Sequence, residues 1–461
     1  MSAADAPWSA TATQLSQLFK SGACDPVRAI QACLARIEDT NPTLNAIVTL
    51  DADNALEAAR ASRERWRIKR QISVLDGVPL TVKDNLFVGG LRATWGSSLF
   101  ADHVASRDDI PVARLRAAGA IVLGKTNTPE FSLAGFTDNK LFGSTGNPWA
   151  VDLSPGGSSG GAAASVMAGM APLALVTDAG GSTRRPAAHV GCVGFKPSLG
   201  RVPRRHGFPQ LAADLQTVGF LARSVPDARA VFDAIADSAL EDARATSGLK
   251  IGTFCKIAGH PVEPDVEAAW RKACSTFAQA GHHIKEIEPP YVPDDMSDLL
   301  MALASVGIAR VVVAHADWRE KLTGPMAALA EKGTETSAVA YAQLLDRVAQ
   351  ARANIRDIFE SFDLLLTPTA PVALWPRHEP YPKTIGGTEA APRDSGIYTA
   401  FVNVAGLPAV SLPAGLDSNG HPLGIQLVGP MNAERFLLDV AEWWEGPEPW
   451  PRVAPFAAPV P

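Results

Sequence analysis

The chain has 461 residues, of which 46% are apolar and 20% charged, a composition typical of a soluble globular protein. Its formal net charge of -6 provides no global attraction to nucleic acid or to anionic membranes, so neither is expected as a partner. The cysteines are odd in number and show no C-x-x-C spacing, which favours reduced thiols in a cytoplasmic protein, and the histidines form no metal-ligand pattern.

The N-terminal part of the chain is predicted to be helical. Asp25-Pro26 is a typical start of a helix, and Asn41-Pro42 is predicted to end it. A second helical stretch is predicted over residues 54–66, which are rich in Ala, Arg and Glu.

Strands alternate with helices along the rest of the chain. Residues 78–82 form a short apolar run that leads into the polar corner Lys83-Asp84-Asn85, which is typical of a buried strand and its end. This alternation predicts an α/β layered fold with a mixed, largely parallel sheet. The other predicted elements are a helix over 110–118, a strand over 120–123, a strand–helix–strand series at 249–254, 265–280 and 283–288, and a hairpin joining 409–412 to 424–427.

The run from Leu153 to Thr177 contains no charged residue, but it is interrupted by Pro155 and Pro172 and is rich in glycine. A membrane-spanning helix needs roughly 20 predominantly apolar residues without such breaks. A buried helix followed by a buried strand is therefore predicted.

Two glycine motifs carry competing interpretations. Gly119 to Thr126 matches the phosphate-loop pattern G-x-x-x-x-G-K-[ST], but its centre, Ala-Ile-Val-Leu, is typical of a strand, so the match is interpreted as coincidence. Gly156-Gly157-Ser158-Ser159-Gly160 matches the G-x-S-x-G elbow of α/β-hydrolases. The preceding residues 147–155 do not form the strand that this elbow needs, although a helix is predicted from Gly160 onward, so an esterase that uses Ser158 stays an alternative.

A third motif has the stronger context. An apolar strand over 173–176 is followed by the turn Thr177-Asp178-Ala179-Gly180-Gly181-Ser182 and by a helix start at residues 183–188. Small residues allow successive backbone N–H groups to converge on one point, where they stabilise an oxyanion. Taken alone, this motif is better explained by Ser182 acting only as a helix cap.

Together these motifs resemble those of the amidase signature family. The resemblance spans residues 26 to 429, and several motifs occur in the family's order: Gly77-Val78-Pro79-Leu80-Thr81-Val82-Lys83, Gly124-Lys125-Thr126-Asn127, Gly146-Asn147-Pro148-Trp149, Gly156 to Gly161, Thr177 to Ser182, Gly194-Phe195-Lys196-Pro197, and Pro422 to Gly429.

The resemblance implies a Ser-cisSer-Lys triad, with Ser182 as nucleophile, Ser158 as the bridging serine with a cis peptide bond, and Lys83 as base. A serine hydroxyl becomes a good nucleophile when a base takes its proton. Burial favours the neutral form of a lysine, and the neutral amine can accept that proton. The oxyanion hole is implied to comprise the backbone amides of Ala179, Gly180, Gly181 and Ser182. Asp178 and Arg184 are expected to have a structural role, pairing with each other to brace the turn, and Ser159 is expected to form hydrogen bonds within the same network.

The family's fold implies one domain over residues 1–461, with an N-terminal helical segment (1–70), a catalytic core (71–205), and the remaining layers with the C-terminal hairpin (206–461). The implied reaction is hydrolysis of a small carboxamide without metal or organic cofactor. A homodimer is compatible with the resemblance, although the sequence itself does not show one. Departures from the commonest family pattern at Thr183, Arg185 and Trp95 leave the substrate open, and Trp95, Phe131 and Phe142 are candidates for an apolar substrate pocket.

The sequence leaves two further functions to be considered. The A subunit of an amidotransferase uses the same triad to release ammonia from glutamine for a partner protein. It needs an arginine segment for the glutamine carboxylate, for which residues 301–320 offer only Arg310 and Arg319. A binding protein that retains the fold without turnover is disfavoured, because all three triad residues are present.

Overall fold

The computed structural model describes residues 4–237, 244–446 and 450–456. The first and last residues of the predicted domain, 1–3 and 457–461, lie outside this part. Its α-helices are α1 (Ala12–Ser21), α2 (Pro26–Leu44), α3 (Ala52–Arg67), α4 (Ile110–Ala117), α5 (Gly160–Met167), α6 (Arg184–Val190), α7 (Val225–Ile235), α8 (Pro264–Gln279), α9 (Pro293–Val312), α10 (Trp318–Lys321), α11 (Gly324–Thr334), α12 (Ala338–Arg356), α13 (Ala400–Ala405) and α14 (Glu434–Glu445). Its strands are β1 (Ile47–Leu50), β2 (Pro79–Lys83), β3 (Ile121–Thr126), β4 (Leu173–Asp178), β5 (Val193–Lys196), β6 (Thr217–Ala222), β7 (Lys250–Thr253), β8 (His283–Glu286), β9 (Leu364–Pro368), β10 (Thr384–Ile385), β11 (Thr388–Glu389), β12 (Ala409–Leu416) and β13 (Pro422–Val428).

An 11-stranded mixed sheet in the order β1-β3-β2-β4-β6-β5-β12-β13-β9-β7-β8 organises the described residues. The predicted α/β class with a mixed sheet is confirmed. The parallel pairs form two blocks, β3-β2-β4 and β9-β7-β8, while the strands between these blocks pair antiparallel. Helices pack on the sheet and bury strands such as β2, β3 and β4 along their whole length.

The N-terminal helices differ from the prediction in two respects. Helix α2 begins after Asp25, whose side chain accepts the Arg28 N–H, but it continues past Asn41-Pro42 to Leu44. The helix instead ends at Asn45, which adopts the left-handed conformation (φ 51°). The segment also contains a strand that the sequence did not indicate: β1 pairs antiparallel with β3.

The unit β2–α4–β3 has the predicted form and sets one wall of the site. Helix α4 is followed by Gly119 at φ +91°, a conformation that favours glycine, and β3 then pairs parallel with β2. Since β3 covers Ile121–Thr126, the residues of the phosphate-loop match lie in a strand, and that interpretation as a coincidence is confirmed.

The uncharged run 153–177 forms a buried helix and a buried strand, as predicted. Helix α5 and strand β4 are buried along their whole length, and β4 pairs parallel with β2. None of the helices in the described ranges is both long and apolar enough to cross a membrane.

Helices α9 and α11, which border the cavity described below, approach each other and a neighbouring loop closely. A methyl group added at Gly307 in α9 would lie 1.9 Å from the carbonyl oxygen of Leu211, and one at Gly333 in α11 would lie 2.1 Å from that of Ser305. The glycines are therefore required by backbone contact, because a side chain at Gly307 would push α9 away from the loop at Leu211 and one at Gly333 would push α11 away from α9.

We expect Gly307→Ala to lower the free energy of unfolding by about 1–3 kcal/mol, because the added methyl group overpacks a backbone contact. The matched control is Gly324→Ala at the start of α11, where an added methyl group meets no atom within 4 Å. Urea denaturation followed by circular dichroism compares the two. Equal stability of the two variants would contradict the close approach at Gly307.

Candidate functional site

Parallel pairing brings the polar ends of two strands to one edge of the sheet. Strands β2 and β4 run in the same direction with Val82 opposite Leu175, so Lys83 and Thr177 emerge side by side. Thr177 Oγ1 accepts a hydrogen bond from the Asn85 side chain at 2.9 Å and lies 3.4 Å from Lys83 Nζ. Asn85 and Thr177 thus help to fix the lysine, a role that the sequence analysis did not assign to them.

Lys83 reaches the loop that precedes α5. Its Nζ lies 2.7 Å from Ser158 Oγ and 3.0 Å from Ser159 Oγ. The peptide bond between Gly157 and Ser158 is cis, and Lys83, Ser158 and Ser159 are completely buried. The structure therefore places Lys83 against both serines that the sequence analysis named.

Burial lowers the pKa of Lys83 well below its ordinary range. The negative charge of Asp178 works against this shift, and the positive charge of Arg204 adds to it. A lysine whose pKa is lowered in this way has a neutral amine, which accepts a proton from a hydroxyl group.

Ser182 lies at the opposite end of the turn that follows β4. Its residue is 8% exposed, and it lines a cavity of about 690 Å³ together with Ala179 and Gly180. The turn passes through Gly181 at φ +116°, where the left-handed conformation and the contact with Thr399 exclude a side chain. Ser182 is thus open to a molecule in the cavity, whereas Ser158 is not.

Asp178 organises this turn. Its carboxylate accepts hydrogen bonds from the backbone N–H groups of Gly181 at 2.7 Å and Thr183 at 3.0 Å, and it pairs with Arg184 at 2.9 Å. Burial by itself raises the pKa of Asp178, but Arg184 and these hydrogen bonds outweigh it and hold the pKa well below the usual value. Arg184 also donates to the side chains of Gln426 and Asn403, which ties the turn to the C-terminal part of the fold.

The four amides named for an oxyanion hole are not equivalent. The Gly181 N–H is engaged by Asp178, whereas the backbone N–H groups of Ala179, Gly180 and Ser182 donate to no other described residue. Unpaired amides at a cavity wall are suited to binding an anionic oxygen. Gly181 therefore contributes through its conformation rather than through its own N–H.

The structure brings Lys83 and Ser158 together, but among the described residues no hydrogen bond joins Ser158 to Ser182. In unliganded enzymes such catalytic hydrogen bonds are often long and shorten when substrate binds. The complete three-residue relay stays a prediction.

The aromatic residues predicted to line a substrate pocket do not line this cavity. Trp95 and Phe131 are buried in an aromatic cluster, where Trp95 stacks on Phe208 at 4.6 Å between ring centroids. Phe142 lies under the guanidinium of Arg92 at 5.3 Å. Core packing accounts for Trp95 and Phe131, because large aromatic groups gain most by leaving water, whereas Phe142 is partly buried and is held by the contact with Arg92.

The cavity wall comes instead from segments that are distant in sequence. Helices α9 and α11 supply apolar side chains, and loops before α13 supply polar ones; these residues are Leu300, Met301, Met326, Leu329, Tyr381, Arg393 and Ser395. No motif marked them, since aliphatic positions in a helix are equally expected in a core.

The elbow alternative for Ser158 finds no support in the local structure. Residues 154–159 are not part of a strand, and the hydroxyl of Ser158 is completely buried beside Lys83. A nucleophile elbow instead presents its serine at the end of a strand, exposed to substrate.

Comparisons with known proteins agree with this geometry. The Amidase family matches residues 28–438. The A subunit of the glutamyl-tRNA(Gln) amidotransferase from Symbiobacterium thermophilum is 34% identical, covering 94% of this chain and 95% of that protein, and its counterpart from Thermosynechococcus vestitus is also 34% identical, covering 92% and 95%. Among solved structures, a bacterial aryl acylamidase of the amidase signature family superposes with a TM-score of 0.87 at 28% identity, covering 96% of each chain. A 6-aminohexanoate cyclic dimer hydrolase complexed with substrate gives a TM-score of 0.85 at 27% identity, covering 97% and 99%.

Proposed function

Because this chain belongs to the amidase family, and is thus an enzyme that acts on carbon–nitrogen bonds, we propose that it hydrolyses a small carboxamide through an acyl-enzyme on Ser182. The observation that carries the proposal is the completely buried Lys83, whose Nζ lies 2.7 Å from Ser158 Oγ behind the cavity wall that holds Ser182.

The proposed reaction begins with proton transfer. Neutral Lys83 takes the proton of Ser158, which takes that of Ser182 as the Ser182 oxygen attacks the amide carbonyl carbon. The carbonyl oxygen becomes an anion, which the N–H groups of Ala179, Gly180 and Ser182 stabilise. The proton returns to the leaving nitrogen, the carbon–nitrogen bond breaks, and ammonia or an amine departs. Water then attacks the acyl-enzyme by the same route and releases the carboxylic acid.

A second function has specific support from the curated relatives, which are A subunits of an amidotransferase. The arginines that the sequence offered for a glutamine carboxylate are engaged away from the cavity: Arg310 donates to the Gln210 carbonyl, and Arg319 pairs with Glu331. This placement removes those two arginines as the carboxylate site, while the sequence identity supports the amidotransferase component. Turnover by the isolated chain separates them, because an amidotransferase component should hydrolyse glutamine best when its partner is added.

The nucleophile is tested by covalent labelling with a fluorophosphonate, followed by mass spectrometry of the peptides. We expect the label on Ser182 in the unmodified protein, because this serine lines the cavity whereas Ser158 is buried. Ser182→Ala should lose the label, and the control Ser275→Ala, on the exposed surface of α8, should keep it. Label on Ser158 would overturn the assignment and favour an esterase-like elbow.

A further inference from the structure

A second arginine lies beside the proposed nucleophile. Arg185 is three residues after Ser182, and its backbone N–H donates to the Gly181 carbonyl at 2.9 Å. Both residues line the same cavity. A methyl group added at Gly181, the residue before Ser182, would lie 3.1 Å from Arg185 Nε, so the guanidinium lies close to the turn that carries Ser182.

The Arg185 guanidinium has no partner to neutralise it. Its Nε is buried without a hydrogen bond, and no ion pair of the described ranges includes it. The nearby carboxylate of Asp178 is already held by Arg184 through two hydrogen bonds. A desolvated charge without a counterion is unfavourable, and it is found where a ligand supplies the missing charge.

Three glycines leave room for the guanidinium. A methyl group added at Gly135 or Gly396 would lie 3.2 or 3.3 Å from Arg185 Nη1, and one at Gly181 would lie 3.1 Å from its Nε. A side chain at any of these positions would therefore crowd the guanidinium at the cavity wall. A planar guanidinium is suited to binding a carboxylate with two parallel hydrogen bonds.

The other charged side chains of the cavity wall either have partners within the protein or, in the case of Asp138, have a raised pKa. Arg393 pairs with Asp298, and Lys140 donates to the Leu322 carbonyl at 2.7 Å. The Glu130 carboxylate accepts from Ser97 and Thr323. The remaining carboxylate, Asp138, is half-buried, and burial raises its pKa. Among the described residues of the wall, Arg185 is thus the cation that lacks a protein acceptor.

We propose that Arg185 binds a carboxylate on the acyl part of the substrate, so that the enzyme's substrate class is the monoamides of short dicarboxylic acids. The inference rests on the proposed function, since it places the carboxamide of that molecule at Ser182 and its carboxylate at the guanidinium.

The test compares two amides of equal chain length, succinamate, which carries a carboxylate, and butyramide, which does not. The unmodified enzyme should prefer succinamate in kcat/KM. Arg185→Gln should lower kcat/KM for succinamate by about 10- to 100-fold, mainly through KM, and leave butyramide within about 3-fold, because only the charged contact is lost. Arg185→Lys should restore part of the loss, and the control Arg310→Gln, away from the cavity, should change neither substrate.

Each outcome decides the matter. An equal loss on both substrates in Arg185→Gln would assign Arg185 a structural role and overturn the inference. Hydrolysis of butyramide without preference for succinamate would also overturn it while leaving the proposed function intact. If neither amide is hydrolysed and fluorophosphonate does not label Ser182, the proposed function fails and the inference fails with it.

Discussion

Ser182→Ala should lower kcat by about 10⁴- to 10⁶-fold, the range typical of removing a serine nucleophile. In the proposed mechanism Ser182 forms the acyl-enzyme, so only residual catalysis by binding and oxyanion stabilisation should be left in the variant. The substitution should leave the fold intact, because the Ser182 side chain bonds to no other described residue, and the turn is held by Asp178 through neighbouring backbone groups.

The measurement is steady-state hydrolysis of a panel of primary amides, with circular dichroism to verify folding. Ser275→Ala, the same chemical change at an exposed position, should retain full activity. If Ser182→Ala kept more than a tenth of the activity while folded, the acyl-enzyme on Ser182 would have to be abandoned.

Lys83→Met should lower kcat by about 10²- to 10⁴-fold, the usual contribution of a general base. Methionine fills a similar volume without an amine, so Ser158 loses the group that takes its proton.

Burial keeps the pKa of Lys83 low only at a cost to the folded state, since the unfolded chain binds that proton more readily at neutral pH. We therefore expect the unfolding midpoint of Lys83→Met at pH 7 to equal or exceed that of the unmodified protein.

The pH dependence follows from the same shift. The neutral amine is the active form, so kcat should fall as pH falls through the lowered pKa of Lys83, and it should not require the alkaline pH that an exposed lysine needs. Lys196 is a second buried lysine, whose pKa burial and Arg184 lower to about 7. The profile is therefore also measured in Lys196→Met. If the acid limb disappears in that variant, Lys196 rather than Lys83 is the titrating group.

Local sequence determined the elements around the site. The apolar run before Lys83, the strand before Asp178 and the glycine turn to Ser182 each follow from short-range rules, because strand burial and turn conformation depend on neighbouring residues. The predicted pairing of Asp178 with Arg184 is also local, since the two are six residues apart and meet across one turn.

Two features of the N-terminal segment differ from the prediction: helix α2 ends later than expected, and strand β1 was not predicted. Pro42 removes one backbone donor from the last turn, but the helix continues to Leu44, and the side chain of Asn41 accepts the N–H groups of Ala46 and Ile47 just beyond its end. Strand β1 has only four residues and owes its conformation to pairing with β3, which lies more than seventy residues later in the chain.

The sequence by itself determined the α/β class and the family resemblance, and it supplied the candidates for the reactive side chains. Only the tertiary structure determined the distances between these side chains, their burial and their charge partners. The distance from Lys83 to Ser158 depends on the packing of β2 against the loop before α5, and the lysine's lowered pKa depends on its complete burial. Trp95 and Phe131 became core and Arg185 came to lie unpaired at the cavity, because burial and charge compensation are set by contacts between distant segments, which no local pattern records.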